Sequence, residues 1–92
     1  MRFEHKKLGA ILTLKEADDL LARDVDVYLR EYRKLPMGDN AVQVVKAAVI
    51  AGWIIEPILT AEAVDSMRTP IVRWMSQKID ALYTEVTTIP PE

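Results

Sequence analysis

The feature that most constrains this chain is an uninterrupted apolar segment in its middle, residues 47–55. The segment reads Ala-Ala-Val-Ile-Ala-Gly-Trp-Ile-Ile, carries no charge and no hydroxyl, and is bounded by Lys46 and Glu56. A helix that is apolar on nearly every side must be surrounded by other elements of the fold. A helix that crosses a bilayer needs about 20 apolar residues, so this segment is too short for that role. The pattern predicts the central helix of a small soluble helical domain.

The length of the chain predicts one domain, residues 1–92, with a modest core. Half of the 92 residues are hydrophobic, which is sufficient for a single core. A chain of this size buries only about 60–65% of the surface that its unfolded form exposes, so its stability margin is small. Many such proteins gain stability from a partner or from self-association. The expected fold class is mainly α, a compact bundle of about four helices with an N-terminal β-hairpin.

The charge balance argues against nucleic-acid binding. The chain has 12 basic and 14 acidic side chains, a net charge of −2, and no basic stripe. It has no cysteine, which excludes disulfides, thiol catalysis and cysteine-ligated zinc. The opening residues Met-Arg-Phe-Glu-His-Lys-Lys lack the apolar core of a signal peptide. We therefore expect a cytoplasmic protein that binds neither nucleic acid nor membrane.

Residues 2–14 are predicted to form a β-hairpin. Leu8-Gly9 supplies a turn, because glycine tolerates positive φ. The return strand over 10–14 is apolar enough for a half-buried strand. A lone hairpin is marginal in water, so it must lie on the helices. The alternative is an irregular N-terminal arm.

The longest helical pattern runs over residues 14–35. Apolar side chains recur there every three or four residues and share one face. They are Leu14, Ala17, Leu21, Val25, Tyr28, Tyr32 and Leu35. Two interpretations remain open: one helix from about residue 16 to 35, or a loop over 15–20 and a helix from about 21, which Asp18-Asp19 could cap. In both interpretations the portion over 22–35 is helical.

A second helix is predicted over residues 41–55. Pro36-Met37-Gly38-Asp39-Asn40 predicts the break before it, because proline stops a helix and Asp39 or Asn40 can cap the next one. Gly52 lies inside the predicted helix, at a cost of about 1 kcal/mol relative to alanine. This glycine either lets another backbone approach closely or only loosens the last turn.

The final third of the chain predicts two further helices. Pro57 forbids the continuation of a helix, and Thr60 can cap a short helix over 61–67. Thr69-Pro70 then predicts the start of a long helix over 70–87. Residues 88–92 contain two prolines and are expected to form an extended tail.

No arrangement of side chains in the sequence predicts catalysis. His5 is the only histidine and has no convergent partners for a catalytic or metal-binding role, so it is interpreted as a surface residue. Four acidic residues lie close together in the sequence, but their segment has neither the loop glycine nor the terminal glutamate of an EF-hand, so they are interpreted as solvated charges. They are Asp18, Asp19, Asp24 and Asp26. We expect no cofactor, no metal site and no enzymatic activity.

Three aromatic residues are the predicted protein-binding residues. Trp53 and Trp74 lie off the main apolar stripes of their helices, and tryptophan often anchors interfaces. Tyr83 completes the predicted set of anchors. The competing interpretation is that the tryptophans close the edges of the core.

Several segments, taken in order, resemble a known family. The chain opens Phe-Glu-His-Lys-Lys-Leu-Gly at 3–9 with Leu-Thr-Leu at 12–14, and continues Val-Val-Lys-Ala-Ala-Val-Ile-Ala-Gly-Trp at 44–53. It closes Val-Arg-Trp-Met-Ser-Gln-Lys-Ile-Asp-Ala-Leu-Tyr at 72–83 and Ile-Pro-Pro-Glu at 89–92. This pattern is similar to the small tail assembly chaperones of long-tailed bacteriophages and prophages, which are encoded next to the tape-measure protein.

The resemblance covers most of the chain and implies a non-enzymatic role. Such chaperones keep the helix-rich, aggregation-prone tape-measure protein soluble while tail subunits polymerise around it, and some form homo-oligomers. The resemblance assigns no binding residue to a numbered position of this chain.

The expected function is protein binding during assembly, in which an apolar face accepts an amphipathic helix of the partner. Two alternatives remain. A small phage regulatory or inhibitory protein that blocks a host enzyme or nucleic-acid machine would gather the aspartates between residues 18 and 26 on one exposed patch. A small structural tail component would form stable rings in isolation.

Overall fold

The computed structural model describes residues 1–34 and 40–89, and these form four α-helices, one 3-10 helix and three β-strands. In chain order they are β1 (Arg2–His5), β2 (Ala10–Leu14), the 3-10 helix (Ala17–Asp19), α1 (Ala22–Arg33), α2 (Asn40–Ile50), β3 (Ile54–Glu56), α3 (Ala61–Val64) and α4 (Thr69–Thr87). The strands form one antiparallel sheet in the order β1-β2-β3. The fold is therefore mixed α/β, and the expectation of a mainly α bundle is wrong because a third strand extends the hairpin into a sheet.

The N-terminal hairpin predicted over residues 2–14 is present. β1 pairs with β2 from Arg2 opposite Thr13 to His5 opposite Ala10. Gly9 turns the chain with a φ of 63°. Along β2 the side chains alternate between the core and the solvent, as expected for a sheet with one covered face.

The hairpin is attached to α4 by side chains at both of its ends. The Lys78 ammonium lies 5.0 Å from the centre of the Phe3 ring. His5 meets Trp74 edge to face, with 5.8 Å between the ring centres. The Arg68 guanidinium, just before α4, donates a hydrogen bond of 2.9 Å to the Leu8 carbonyl in the turn. These contacts hold the sheet against α4.

The end of α2 explains why the third strand exists. Gly52 adopts a φ of 75°, which glycine accepts without steric cost. The Gly52 N–H donates to the Val49 carbonyl at 3.2 Å, and the Trp53 N–H donates to the Ala48 carbonyl at 3.0 Å. This pair of hydrogen bonds is the Schellman motif that ends many helices. The helix predicted over 41–55 therefore stops after Ile50, and neither sequence interpretation of Gly52 identified it as a helix end.

The chain leaves Gly52 in an extended conformation and joins the sheet. Leu14 lies opposite Ile54 and Thr13 lies opposite Glu56, with an irregular register between them. The Lys15 N–H also donates to the Trp53 carbonyl at 3.0 Å. Residues 54–56 are thus a strand rather than the last turn of a helix.

Trp53 joins the sheet to α1. Its side chain is 0% exposed and stacks on Tyr28, with 4.3 Å between the ring centres and 18° between the ring planes. The indole N–H donates to the Asp24 carbonyl at 3.2 Å. The residue that follows the helix end therefore fills the space between α1 and β3.

α1 begins later than residue 16. Leu21 precedes the helix, and its N–H donates to the Asp24 carboxylate at 2.9 Å. The interpretation with non-α-helical residues over 15–20 is therefore confirmed, but Asp24 caps the helix instead of Asp18-Asp19. The single helix over 16–35 is wrong, because the chain must leave β2 and turn before α1 can start.

The other predicted boundaries differ by small amounts. α3 ends at Val64 rather than residue 67, and the Thr60 hydroxyl caps it by accepting the Ala63 N–H at 3.2 Å. α4 begins at Thr69 and ends at Thr87, so the helix predicted over 70–87 is confirmed apart from one residue. The break at residues 35–39 and the tail residues 90–92 lie outside the described residues.

The core lies between the sheet and the helices, with α2 packed against α1, α3 and α4. The prediction that the central apolar segment is internal is confirmed at Ala47, Ala48 and Trp53, which are 2%, 0% and 0% exposed. It is wrong at Ile50 and Ile55, which are 49% and 55% exposed. The segment is surrounded along one side only, because it divides into a helix and an edge strand.

Removing the Trp53 side chain should destabilise the domain far more than removing the half-buried Trp74. Trp53→Ala leaves a large cavity and is expected to lower the free energy of unfolding by about 3–5 kcal/mol, a large part of the about 5–15 kcal/mol typical of a domain. Trp53→Phe keeps a ring against Tyr28 and should lose less. Urea unfolding followed by circular dichroism measures both values. Equal losses for Trp53→Ala and Trp74→Ala would contradict the central role of Trp53.

Candidate functional site

The three predicted aromatic anchors do not form one surface. Trp53 is completely buried, so its prediction as an exposed partner anchor is wrong and the core interpretation applies to it. The physical reason is the turn at Gly52, which directs the next side chain inward. Trp74 is half-buried beside His5, and Tyr83 is half-buried on a different part of α4, beside Tyr28. Trp74 and Tyr83 thus belong to two separate regions.

Tyr83 helps to line a small cavity between α1 and α4, which we call the tyrosine pocket. Its lining residues are Tyr28, Leu29, Tyr32, Asp80 and Tyr83, and its volume is about 240 Å³. The Tyr28 ring lies between the other two, at 6.3 Å from Tyr32 and 5.7 Å from Tyr83, centre to centre. The pocket therefore presents aromatic rings from two helices.

Among the described residues, Asp80 is the one acidic residue that lines the tyrosine pocket. Partial loss of its hydration raises the pKa of Asp80 above the ordinary value of 3.8, although the side chain stays exposed at the rim. Burial, followed by the nearby Asp80 charge, raises the pKa of Tyr28 above its usual range. Among the described residues, the ion pairs are Met1–Glu16, Asp26–Arg30, Glu31–Lys34 and Lys46–Asp65. Asp80 belongs to none of them.

A second opening lies between the sheet and the start of α4, and we call it the methionine groove. Its volume is about 390 Å³. Most of its lining is apolar, and it consists of Gly9, Ala10, Ile11, Glu56, Pro57, Met67, Ile71 and Met75. The groove is larger than the tyrosine pocket and follows the edge of β2.

The backbone of Ile11 faces this groove. Met1 and Leu14 exchange hydrogen bonds through their backbone nitrogens and carbonyls, at 2.7 and 2.8 Å. Because hydrogen-bonding direction alternates along an antiparallel strand, the backbones of Ile11 and Thr13 point away from β1. β3 pairs only with Thr13 and Leu14, and Pro57, which has no N–H, ends it.

Within residues 1–34 and 40–89, no strand therefore pairs with the outward N–H and carbonyl of Ile11. Ile11 is also 38% exposed. The methionine groove thus combines an open stretch of strand edge with apolar walls.

The remaining sequence candidates have structural roles. The Nδ1 atom of His5 accepts the Leu8 N–H at 3.2 Å, which supports the hairpin turn. Asp24 caps α1, and Asp26 pairs with Arg30. Of the four aspartates, Asp18 and Asp19 are exposed and make no such contact among the described residues. Among the described residues no three acidic or histidine side chains are grouped to hold a metal ion.

Comparison of the chain with known protein families, with curated proteins and with solved structures finds no match. In the part of the chain that the structure describes, no helix has both the length and the apolar character needed to cross a membrane. The two openings described above are therefore the candidate functional sites of the chain.

Sequence reasoning missed most of the residues in both openings. Tyr28 and Tyr32 are four residues apart, and that spacing favours a core stripe over a binding surface. Asp80 and Tyr83 are three residues apart on α4 and share a face. The one signal in the sequence that could have predicted the tyrosine pocket is an aspartate and a tyrosine on the same face of a helix, as at Asp80 and Tyr83. The methionine groove left no such signal, because its lining comes from distant parts of the chain.

Replacing Asp80 with asparagine should stabilise the domain at neutral pH and have no such effect in acid. The folded state raises the pKa of Asp80, so the ionised carboxylate destabilises the fold, and protonation removes that cost. Asp80→Asn is expected to raise the free energy of unfolding at pH 7 by less than about 1 kcal/mol, because the group is exposed. The gain should disappear as the pH falls below about 3.9, the pKa of aspartate in unfolded chains. Urea unfolding at several pH values measures the difference.

Asp19→Asn is the matched control, because it removes one negative charge outside the pocket. A stabilisation by Asp80→Asn that persists unchanged in acid would show that the carboxylate charge is not its cause.

Proposed function

We propose that this chain is a non-enzymatic protein-binding module that acts during assembly in the cytoplasm. Its proposed partner is an apolar, aggregation-prone polypeptide, of which the phage tape-measure protein is the example that the sequence resemblance suggests. The observation that carries the proposal is the methionine groove, where an unpaired strand edge lies beside apolar side chains.

An extended segment suits the groove better than the helix expected from the sequence. A helix satisfies its own backbone hydrogen bonds, so it has no use for the free N–H and carbonyl of Ile11. An extended peptide can form main-chain hydrogen bonds to that edge and place alternate side chains in the groove. We therefore propose strand addition to β2 as the mode of binding.

The walls of the groove support binding of varied apolar side chains. Met67 contributes a flexible thioether side chain, which adapts to differently shaped partners, and the buried Met75 lines the groove from the core. The volume of about 390 Å³ lies within the range of about 300–1,000 Å³ that is common for binding pockets. Beyond Pro57, the Ile58 side chain is 97% exposed and adds apolar surface next to the groove.

The same arrangement suits a chaperone. Aggregation-prone polypeptides expose extended segments with high β-propensity, which would otherwise pair with one another. An edge of only a few residues covers such a segment with few hydrogen bonds, so the complex can dissociate when assembly subunits compete for it. A second copy of this chain could use the same edge, and homo-oligomers are therefore part of the proposal.

The substitution Ile11→Pro should abolish partner capture while Ile11→Thr preserves it. Proline removes the N–H that points into the groove and leaves the pairing of β2 with β1 intact, whereas threonine keeps the N–H and the strand preference. The test co-expresses each variant with a phage tape-measure protein, the partner that the sequence resemblance suggests, and measures the soluble fraction of that protein. Wild type and Ile11→Thr should increase it severalfold, and Ile11→Pro should not.

Circular dichroism and thermal unfolding of the purified variants establish that both remain folded. Equal solubilisation by Ile11→Pro and wild type would overturn strand addition, and no solubilisation by wild type would overturn the proposed function. Sedimentation of the isolated chain measures self-association in the same preparations.

A further inference from the structure

We propose that the tyrosine pocket binds an organic cation, namely the ammonium or guanidinium group of a lysine or arginine side chain on a partner polypeptide. The pocket lies between α1 and α4, and none of its residues lines the methionine groove. The inference therefore does not depend on the proposed function of that groove.

The three aromatic rings of the pocket can attract a cation. A cation is attracted to the face of an aromatic ring when it lies within about 6 Å of the ring centre. Tyr28, Tyr32 and Tyr83 all line one cavity, and each neighbouring pair of ring centres is 6.3 or 5.7 Å apart. A cation in this cavity can therefore interact with more than one ring at once.

The Asp80 carboxylate can supply the negative charge for a bound cation. Asp80 lies at the rim of the cavity, and none of the basic side chains within residues 1–34 and 40–89 lines it. Within residues 1–34 and 40–89, no ion pair neutralises Asp80, whereas Asp26 and Asp65 each pair with a basic side chain. An incoming cation would supply the missing counter-charge to a carboxylate that burial has already partly dehydrated.

The size of the pocket selects the ligand. Its volume of about 240 Å³ is smaller than the about 300–1,000 Å³ typical of sites for whole drug-sized ligands. A cavity of this size accepts the end of one side chain or a small ammonium ion. The ligand class is therefore a single cationic group.

The pocket is also organised before any ligand arrives. Tyr28 is fixed from below by its stack with Trp53. The Tyr32 hydroxyl donates a hydrogen bond of 2.7 Å to the Asn40 side-chain carbonyl. Because these rings need little reordering, the entropy lost on binding is small.

The test compares two probes of the same shape and different charge. Choline carries a quaternary ammonium, and 3,3-dimethyl-1-butanol is its neutral carbon counterpart. In NMR titrations of the full chain, choline should shift the ring resonances of Tyr28, Tyr32 and Tyr83, and the rings should move the choline methyl signal upfield. Equal affinity for both probes would overturn the proposal by identifying an apolar pocket, and the absence of shifts with choline would overturn it as well.

Two variants and one control assign the effect to the pocket. Asp80→Asn should weaken choline binding by up to about 5-fold, as expected for loss of one exposed ion pair. Tyr83→Leu keeps apolar bulk, removes one ring and should weaken binding similarly. Asp19→Asn removes the same charge elsewhere and should leave the affinity unchanged. An equal loss in Asp80→Asn and Asp19→Asn would assign the effect to net charge and overturn the proposal.

The source of the cation is determined with two further probes, the N-acetyl methylamides of lysine and arginine. If either probe shifts the same tyrosine resonances, and if Asp80→Asn abolishes these shifts, the ligand is the side chain of a partner. Binding of choline alone would overturn that assignment and identify a free quaternary ammonium compound as the ligand. Circular dichroism of each variant confirms that the fold is retained in every comparison.

Discussion

The left-handed turn at Gly52 is the constraint on which the rest of the structure depends. It ends α2 with the two hydrogen bonds of a Schellman motif and places Trp53 against Tyr28. The backbone carbonyl of Trp53 then accepts a hydrogen bond from the Lys15 N–H, so the sheet, α1 and α2 meet at this one residue. Without this turn the apolar segment would continue as a helix, and the sheet would lose its third strand, β3.

Both candidate binding surfaces follow from this junction. β3 is short because it begins after Trp53 and ends before Pro57, which leaves the backbone of Ile11 open at the methionine groove. On the other side of Trp53, the buried stack holds Tyr28 as the floor of the tyrosine pocket. A single buried side chain therefore organises an apolar opening at the sheet edge and an aromatic one between helices.

The sequence predicted those elements that local signals define. The hairpin and α4 were predictable because a turn glycine, a threonine–proline start and regular spacing mark them. The end of α2 was not predictable, because the segment Gly52-Trp53-Ile54-Ile55 is apolar at every position and suits a helix or a strand equally well. Periodicity cannot assign such a short apolar run. The choice depended on β2, which offered a partner about 40 residues away along the chain, and on the space beside Tyr28 that Trp53 fills. The two openings depend on the same long-range contacts, so only Tyr83 among their lining residues was predicted.

Native-state hydrogen exchange at the junction tests the account most directly. The amide of Trp53 bonds to Ala48 and the amide of Lys15 bonds to Trp53, so both should exchange only when the whole domain unfolds, with the same free energy of opening as the core amides of α4. The Ile11 amide, which has no partner on its open side, should exchange much faster. If the amides of Trp53 and Lys15 exchange with a clearly lower free energy of opening than the core amides of α4, then β3 opens on its own. That result would contradict the claim that this junction organises the fold.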